Sequence, residues 1–328
     1  MQVPTLDFAN LIGNARMQKN FAHELEDGFS EVGFIVLKNH PISHKLQADF
    51  HKACLDVFSM SLEEKKSYQM PGFKGQRGFV SFGSETAVGA QVSDLKEFWQ
   101  IGRDLEPCNQ ITKDYFPNVF PAQVPEFEFY AMDLFEKLEV IGQELMTSIA
   151  SILNLPPEYF HGYVANGNSI IRALHYPAYS RHNLGDEELR QKALRAAAHT
   201  DINLITLLLG ASQEGLQAQT KSGEWVAITC EPHELVVNVG DMLQRLTNGV
   251  LSSTLHRVVD PVNYTSDSAG SDWNPLRIST PFFLHPSSNM PLNVLESCVS
   301  DFNPIQYPDT NAGDYLHQRL CEIGLAAL

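Results

Sequence analysis

The sequence predicts a mainly β protein with flanking helices, in which a sandwich or jelly-roll core follows a mixed α/β N-terminal region. Two observations predict it. After residue 168 the chain becomes a series of short strands and tight turns with little helix between them, the pattern of stacked antiparallel sheets. Before that point, helical and strand periodicities alternate. With 328 residues, 43% hydrophobic and 19% charged, the chain is long and apolar enough to bury a large core.

Phe21, Leu25, Phe29 and Val32 recur at near-helical spacing until Gly33 interrupts them, and Phe34-Ile35-Val36-Leu37 follows as a short buried strand. Leu46, Phe50, Cys54, Val57 and Phe58 mark a second amphipathic helix ending near Ser61-Leu62-Glu63-Glu64. Residues 71–101 carry Gly72, Gly75, Gly78, Phe79, Phe82 and Gly83. These glycines open no helix, so the stretch is not a phosphate cradle and is expected to be a connecting loop. A long helix over 126–153 aligns Leu134, Leu138, Ile141 and Leu145 on one face and stops before Pro156-Pro157.

Strands are expected at Ser169–Pro177, His199–Leu209, Leu235–Gly240, Leu251–Val259 and Leu276–Leu284. A hairpin joins Leu216–Gln219 to Glu224–Ile228 across Thr220-Lys221-Ser222-Gly223. The polar stretch 180–197 is expected to be a loop, and Tyr315–Leu328 a helix. The chain thus divides into an N-terminal region 1–125, a bracing helix and connector 126–167, a core 168–290 and a tail 291–328.

Bulk properties narrow the function. A net charge of −16 argues against a nucleic-acid partner, whose phosphates need a basic surface. The longest apolar runs, such as Leu204–Leu209, are too short to span a bilayer, and Met1-Gln2-Val3-Pro4 opens no signal peptide. Five widely spaced cysteines without C-x-x-C suit free thiols in a reducing compartment. The expectation is a cytoplasmic enzyme acting on a small molecule.

Three motifs carry chemistry. In a strand, His199 and Asp201 would point to one face, although H-x-D alone arises by chance in a chain with 12 histidines. His256, in another expected strand, completes two imidazoles and a carboxylate on facing strands. Such a facial triad leaves coordination positions open and marks non-haem Fe(II) oxygenases; zinc more often takes a closed tetrahedron. Arg277-Ile278-Ser279 places a guanidinium and a hydroxyl on one face. A buried guanidinium is costly without an anion, and each charge-assisted hydrogen bond to a carboxylate contributes about 1.5–3 kcal/mol. A structural ion pair is the competing role. Phe79, Phe82, Phe98 and Phe283 are candidates for a substrate pocket by position, with core packing as the alternative.

Together with Arg172–Pro177 (R-x-x-x-Y-P) and Gly33–His40 (G-F-x-x-x-x-N-H), these motifs resemble the iron(II)/2-oxoglutarate-dependent dioxygenase superfamily, in its isopenicillin N synthase-like branch. The resemblance runs over residues 3–290 and implies a double-stranded β-helix core. It implies Fe(II) on His199, Asp201 and His256, with 2-oxoglutarate and O2 as co-substrates. The distal carboxylate of 2-oxoglutarate would then meet Arg277, Ser279 and Tyr176. The implied reaction couples oxidative decarboxylation of 2-oxoglutarate to hydroxylation, or a related oxidation, of a small organic substrate. Two departures stand out. Leu174 occupies a position that is Asn in many plant members, and Asn263–Asn274 reads as an insertion between the last two core strands. Two other readings stay open on the motifs alone: an Fe(II) oxidase of the same fold that does not use 2-oxoglutarate, and a non-catalytic ligand-binding jelly roll. Neither the substrate nor the oligomeric state is legible.

Overall fold

Apolar residues on both faces of the strands, rather than on one, dictate a layered architecture in which a sheet is covered twice. The computed structural model describes residues 3–73, 75–84, 94–104, 115–180, 195–210, 214–259, 273–274 and 276–322. The chain opens with β1 (Thr5–Asp7), α1 (Phe8–Leu11), α2 (Ala15–Glu31), β2 (Phe34–Lys38), α3 (His44–Ser59) and α4 (Leu62–Ser67). Next come β3 (Gly78–Val80), β4 (Glu97–Gly102), α5 (Pro125–Ile152) and α6 (His161–Ala165). The core follows as β5 (Ile170–Tyr176), β6 (Tyr179–Ser180), β7 (Ala196–His199), β8 (Ile205–Leu209), β9 (Leu216–Gln219), β10 (Trp225–Ala227) and β11 (Leu235–Val239). It ends with α7 (Asp241–Leu246), β12 (His256–Val258), β13 (Trp273–Asn274), β14 (Arg277–Leu284) and α8 (Ala312–Glu322).

Among the described residues, eight strands form a large sheet in the order β1-β2-β11-β8-β14-β5-β4-β3, and four form a small one in the order β10-β9-β12-β7. Helices cover one face of the large sheet. On α5, Leu134, Leu138, Ile141 and Leu145 are fully buried, each contributing about 1.5–3 kcal/mol. They meet Ile171 and Ala173 of β5 and Ile278, Phe282 and Leu284 of β14 in one core. The other face packs on the small sheet, where Phe34 and Val236 meet Ala196, Leu216, Ala218 and Val258. The result is the jelly roll, with helices outside the large sheet. Strands β1–β4 precede residue 126, so the large sheet is continuous across that division of the sequence.

The structure corrects several expectations. Residues 71–101 are not simply a loop: β3 and β4 lie within or across that stretch, and β4 pairs along β5 from Glu97↔His175 to Gly102↔Ile170. Every residue of β4 is buried, so no polar–apolar alternation betrays it. Its Glu97 is stabilised by Lys65 at 2.9 Å and His175 at 2.8 Å. The expected strand His199–Leu209 is two strands in different sheets, β7 and β8, with a bend between them. Of Leu251–Val259 only His256–Val258 is strand. The preceding segment is bonded instead to the end of α2 and its cap, with Ser252 N donating to Phe29 O and the Thr254 hydroxyl to Val32 O. The second helix stops at Ser59, because Ser61 and Glu64 form a capping box that starts α4.

The 181–194 part of the expected polar loop lies outside the described residues, as do most of the Asn263–Asn274 insertion, residues 323–328 and Cys108. Within the insertion, Trp273–Asn274 pairs with Tyr179–Ser180. Cys54, Cys230, Cys298 and Cys321 are free thiols. No helix among the described residues is long and apolar enough to cross a membrane.

Gly33 joins α2 to β2 in the left-handed region, at φ 76°. A Cβ there would overlap the Ser252 carbonyl oxygen and the Thr254 hydroxyl, two residues before His256. Gly33→Ala is therefore expected to destabilise the fold by about 2–4 kcal/mol, read as a lower urea midpoint. A midpoint equal to that of the parent protein would show that this junction tolerates a side chain.

Candidate active site

Three donors converge where the two sheets meet. His199 ends β7 and His256 begins β12, and the two are direct cross-strand partners in the small sheet. Their ring centroids lie 4.5 Å apart. The strands that carry the two histidines are therefore neighbours, not the facing strands expected. Each imidazole folds back on its own strand: Nδ1 of His199 pairs with Ala197 O at 2.7 Å, and Nδ1 of His256 with Thr254 O at 3.0 Å. With Nδ1 donating, Nε2 is left as a lone-pair donor in both rings. Phe34 packs edge-on against His256 at 5.7 Å and fixes the ring.

Asp201 reaches the same point by a different route. It lies in the bend between β7 and β8, so same-strand geometry does not account for its position. The amide of Asp241, at the start of α7, donates to Asp201 O at 2.7 Å, and Met242 N donates to the carbonyls of Ile202 and Asn203. The unsatisfied amides of the first helical turn thus hold the bend. The carboxylate is divided in function. Oδ2 accepts hydrogen bonds from the Thr206 hydroxyl (2.6 Å) and Asn238 Nδ2 (2.8 Å), cross-strand partners on β8 and β11. Oδ1 faces His256 Nε2 at 3.7 Å and His199 Nε2 at 4.0 Å. Candidate ligand atoms of His199, Asp201 and His256 all lie within 4.8 Å of one another, the one such metal-competent group found among the described residues.

The electrostatics suit a cation. Burial alone would raise the Asp201 carboxyl, but His256, His199 and the bonds from Asn238 and Thr206 outweigh it and hold the group below the ordinary carboxylate range. Burial and the adjacent His256 push His199 down to about 4, against the pull of Asp201. At neutral pH the donor set therefore includes an anionic carboxylate and a neutral His199, a combination that fits Fe(II).

A second constellation sits on β14 and β5. Arg277 is 1% exposed and pairs in register with Tyr176. Its guanidinium carbon lies 5.1 Å from the Tyr176 ring, and Arg195, also buried, lies 5.9 Å from the same ring. Burial lowers the Arg277 pKa, Tyr176 opposes the shift through charge and a hydrogen bond, and Arg195 adds to it. Ser279 is buried two residues on, on the same face. Two guanidiniums around one phenol, with a hydroxyl beside them, are suited to a carboxylate.

The phenylalanine candidates divide. Phe98 packs with Val80, Leu174 and Tyr176 on the inner face, and Phe283 lies under Arg172. Phe79 instead belongs to the helix-side core against Trp99, because alternation along β3 turns it away from the site. Phe82 is 49% exposed beyond the end of β3. His175 also faces the helices, stacked on Phe58.

Several contributors escape the motif reading: Thr206, Asn238, Asp241 and Arg195. A usable signal exists for the first two, each a lone polar residue inside an apolar strand (Ile205-Thr206-Leu207 and Val237-Asn238-Val239). Asp241 gathers Ser253, Thr200, Tyr315 and Arg319 around its carboxylate. The C-terminal helix, whose partner the sequence left open, is thereby fastened beside the bend that carries Asp201.

Comparison with known proteins agrees with this geometry. Residues 167–286 match the profile of the 2OG-Fe(II) oxygenase superfamily, and residues 3–123 that of the non-haem dioxygenase in morphine synthesis N-terminal. A protein from Caulobacter crescentus assigned to the 2OG-Fe(II) oxygenase family shares 39% identity, with 98% of this chain and 99% of that chain covered and a TM-score of 0.83. The chain belongs to the 2OG-Fe(II) oxygenase superfamily. A full-length Neurospora crassa protein, solved in complex with alpha-KG and thymine, is 29% identical over 97% of this chain and 96% of that one, with a TM-score of 0.82. The proline hydroxylase buaE of Petromyces alliaceus is 29% identical over 334 residues, covering 98% of this chain and 99% of its own. As a superfamily member the chain is a 2-oxoglutarate-dependent dioxygenase with Fe(II) as its metal, which decides among the three readings the motifs allowed.

His285, at the end of β14, is pushed down to about 4 by burial, with Asp201 opposing and Arg77 and Arg172 reinforcing. Between the unfolded value of 6.5 and about 4, the unfolded chain binds more protons than the folded one. Stability contributed by neutral His285 is therefore complete above 6.5 and lost as pH falls through this window. His285→Gln is expected to flatten the fall in urea-unfolding free energy between pH 6.5 and 4. An unchanged slope would remove His285 from the acid sensitivity of the fold.

Proposed function

We propose that His199, Asp201 and His256 hold the iron of this dioxygenase, and that Arg277, Ser279 and Tyr176 receive the distal carboxylate of 2-oxoglutarate. The observation that carries this reading is the divided Asp201 carboxylate: one oxygen is bound by Thr206 and Asn238, and the other is turned to both imidazole Nε2 atoms. Bound there, Fe(II) with dioxygen supplies the oxidising power that converts 2-oxoglutarate to succinate and carbon dioxide and oxidises a C–H bond of the substrate.

The chain's own residues bind and orient. Ala197 O and Thr254 O fix the tautomer and tilt of the two imidazoles, a support that typically affects metal affinity 10–100-fold. Arg277 supplies a planar fork matched to a carboxylate, with Tyr176 steadying it and Arg195 adding positive charge. The small sheet lies over the inner face of the large one and carries both imidazoles. The catalytic region is taken as residues 168–290. Its partners are a small organic substrate and the two co-substrates, and the free thiols support the cytoplasm as its compartment.

Asp201→Ala removes the only anionic donor of the triad and is expected to abolish both stoichiometric Fe(II) binding and succinate production. Tight iron binding with turnover in that variant would sink the assignment. Arg277→Ala is expected to raise the KM for 2-oxoglutarate by about tenfold or more, from the loss of charged hydrogen bonds, with Arg277→Lys intermediate. An unchanged KM would give this arginine a purely structural role. In the anaerobic Fe(II) protein, 2-oxoglutarate should produce a visible charge-transfer band.

A further inference from the structure

On β5 and β14, two central strands of the large sheet, every residue is buried except Arg172 and Phe283. Both strands are covered by helices on one face and lie opposite the small sheet on the other. Partial exposure at those two inner-face positions therefore marks the opening between the layers. The two side chains meet there. The Arg172 guanidinium lies 4.3 Å from the Phe98 ring centroid and 5.4 Å from that of Phe283. Its Nε donates to Gln100 Oε1 at 3.3 Å, and the Gln100 amide in turn donates to Gly75 O. Phe283 is the register partner of Thr206, whose hydroxyl holds Asp201, so this wall adjoins the candidate metal site.

Two further polar groups stand at the same end. Arg77 is 1% exposed, with Nη2 on Asn168 Oδ1 (2.9 Å) and Nη1 on Gln76 O (2.7 Å). It lies against Gly102, where any Cβ would overlap its guanidinium. Its Nε, and Nδ1 of the buried His285, have no hydrogen-bond partner among the described residues. Arg77 and Arg172 both act electrostatically on His285. Arg77 Nε is thus a buried donor left unsatisfied in the resting protein, which costs free energy, and with the His285 ring it stands beside a wall that already combines cations with aromatic faces.

We propose that the molecule this enzyme oxidises is a planar, conjugated carboxylic acid, its ring laid against Phe283 and its carboxylate facing Arg172, with Arg77 and His285 as the polar edge of the same pocket. A guanidinium stacked on aromatic rings is pre-oriented for two parallel bonds to a carboxylate. A flat ring completes the aromatic surface as a saturated one does not. This inference rests on the iron and 2-oxoglutarate assignment above and extends it to substrate class.

The test uses the anaerobic Fe(II) protein with saturating 2-oxoglutarate. Calorimetry titrates it with benzoate, cinnamate, indole-3-carboxylate and naphthoate, each beside its primary amide and its ring-saturated acid. At least one acid is expected to bind about tenfold or more tightly than both of its counterparts. Arg172→Gln should erase the preference for acid over amide, Arg172→Lys should keep part of it, and Phe283→Leu should erase the preference for the flat ring. Circular dichroism and melting temperature verify that each variant is folded. If no acid in the set binds better than its amide, or if the folded Arg172→Gln protein keeps the preference, the proposal is overturned. The charge-transfer band separates the two levels. With the band present and no acid preference, only the substrate class falls. Without the band in the parent protein, the iron and 2-oxoglutarate assignment fails and this proposal with it.

Discussion

Asp201 is 7% exposed, and an isolated carboxylate at that depth would cost several kcal/mol. Two hydrogen bonds to Oδ2 offset part of that cost, two imidazole Nε2 atoms opposite Oδ1 complete a donor set suited to a cation, and the surrounding structure is arranged to keep these groups in place. Thr206 and Asn238 can serve because β8 and β11 are paired in the register that sets them side by side. The imidazoles can serve because β7 and β12 are paired in the register that sets His199 opposite His256. One ionic group thus depends on both sheets being in correct register at once.

The bend between β7 and β8 reconciles those two demands. There the chain leaves the small sheet and enters the large one, and its carbonyls are satisfied by amides at the start of α7. Asp241 on that same turn binds Thr200, Ser253, Tyr315 and Arg319. The C-terminal helix is consequently part of the scaffold behind the site, although none of its residues belongs to a recognisable motif.

How much of this was legible depended on whether each feature left a periodic or chemical trace. The long helix α5 was legible because its apolar face repeats over 28 residues. The strand β14 was legible because an apolar run surrounds two residues chemically out of place, Arg277 and Ser279. β4 left no trace, because both of its faces are buried and its one acid is paired with Lys65 and His175, partners distant in sequence. The convergence of His199 and Asp201 was anticipated for the wrong reason. A strand was assumed where the chain in fact changes sheets, and the carboxylate reaches the site through tertiary hydrogen bonds that local sequence cannot display. Phe79 and Phe98 differ for a similar reason: which face each presents is set by pairing register, and register is not written in the glycine-rich stretch around them.

The inner face of the large sheet also carries a constraint on how this protein can change over time. Arg77 occupies the volume that a side chain at position 102 would need, and its hydrogen bonds to Asn168 and Gln76 leave it little room to withdraw. Positions 77, 102 and 168 thus form a single unit of variation contributed by three separate parts of the chain. A lineage that replaced Gly102 would have to give up or re-seat this guanidinium in the same step. Divergence in what the pocket accepts would then advance by coupled substitutions rather than one residue at a time.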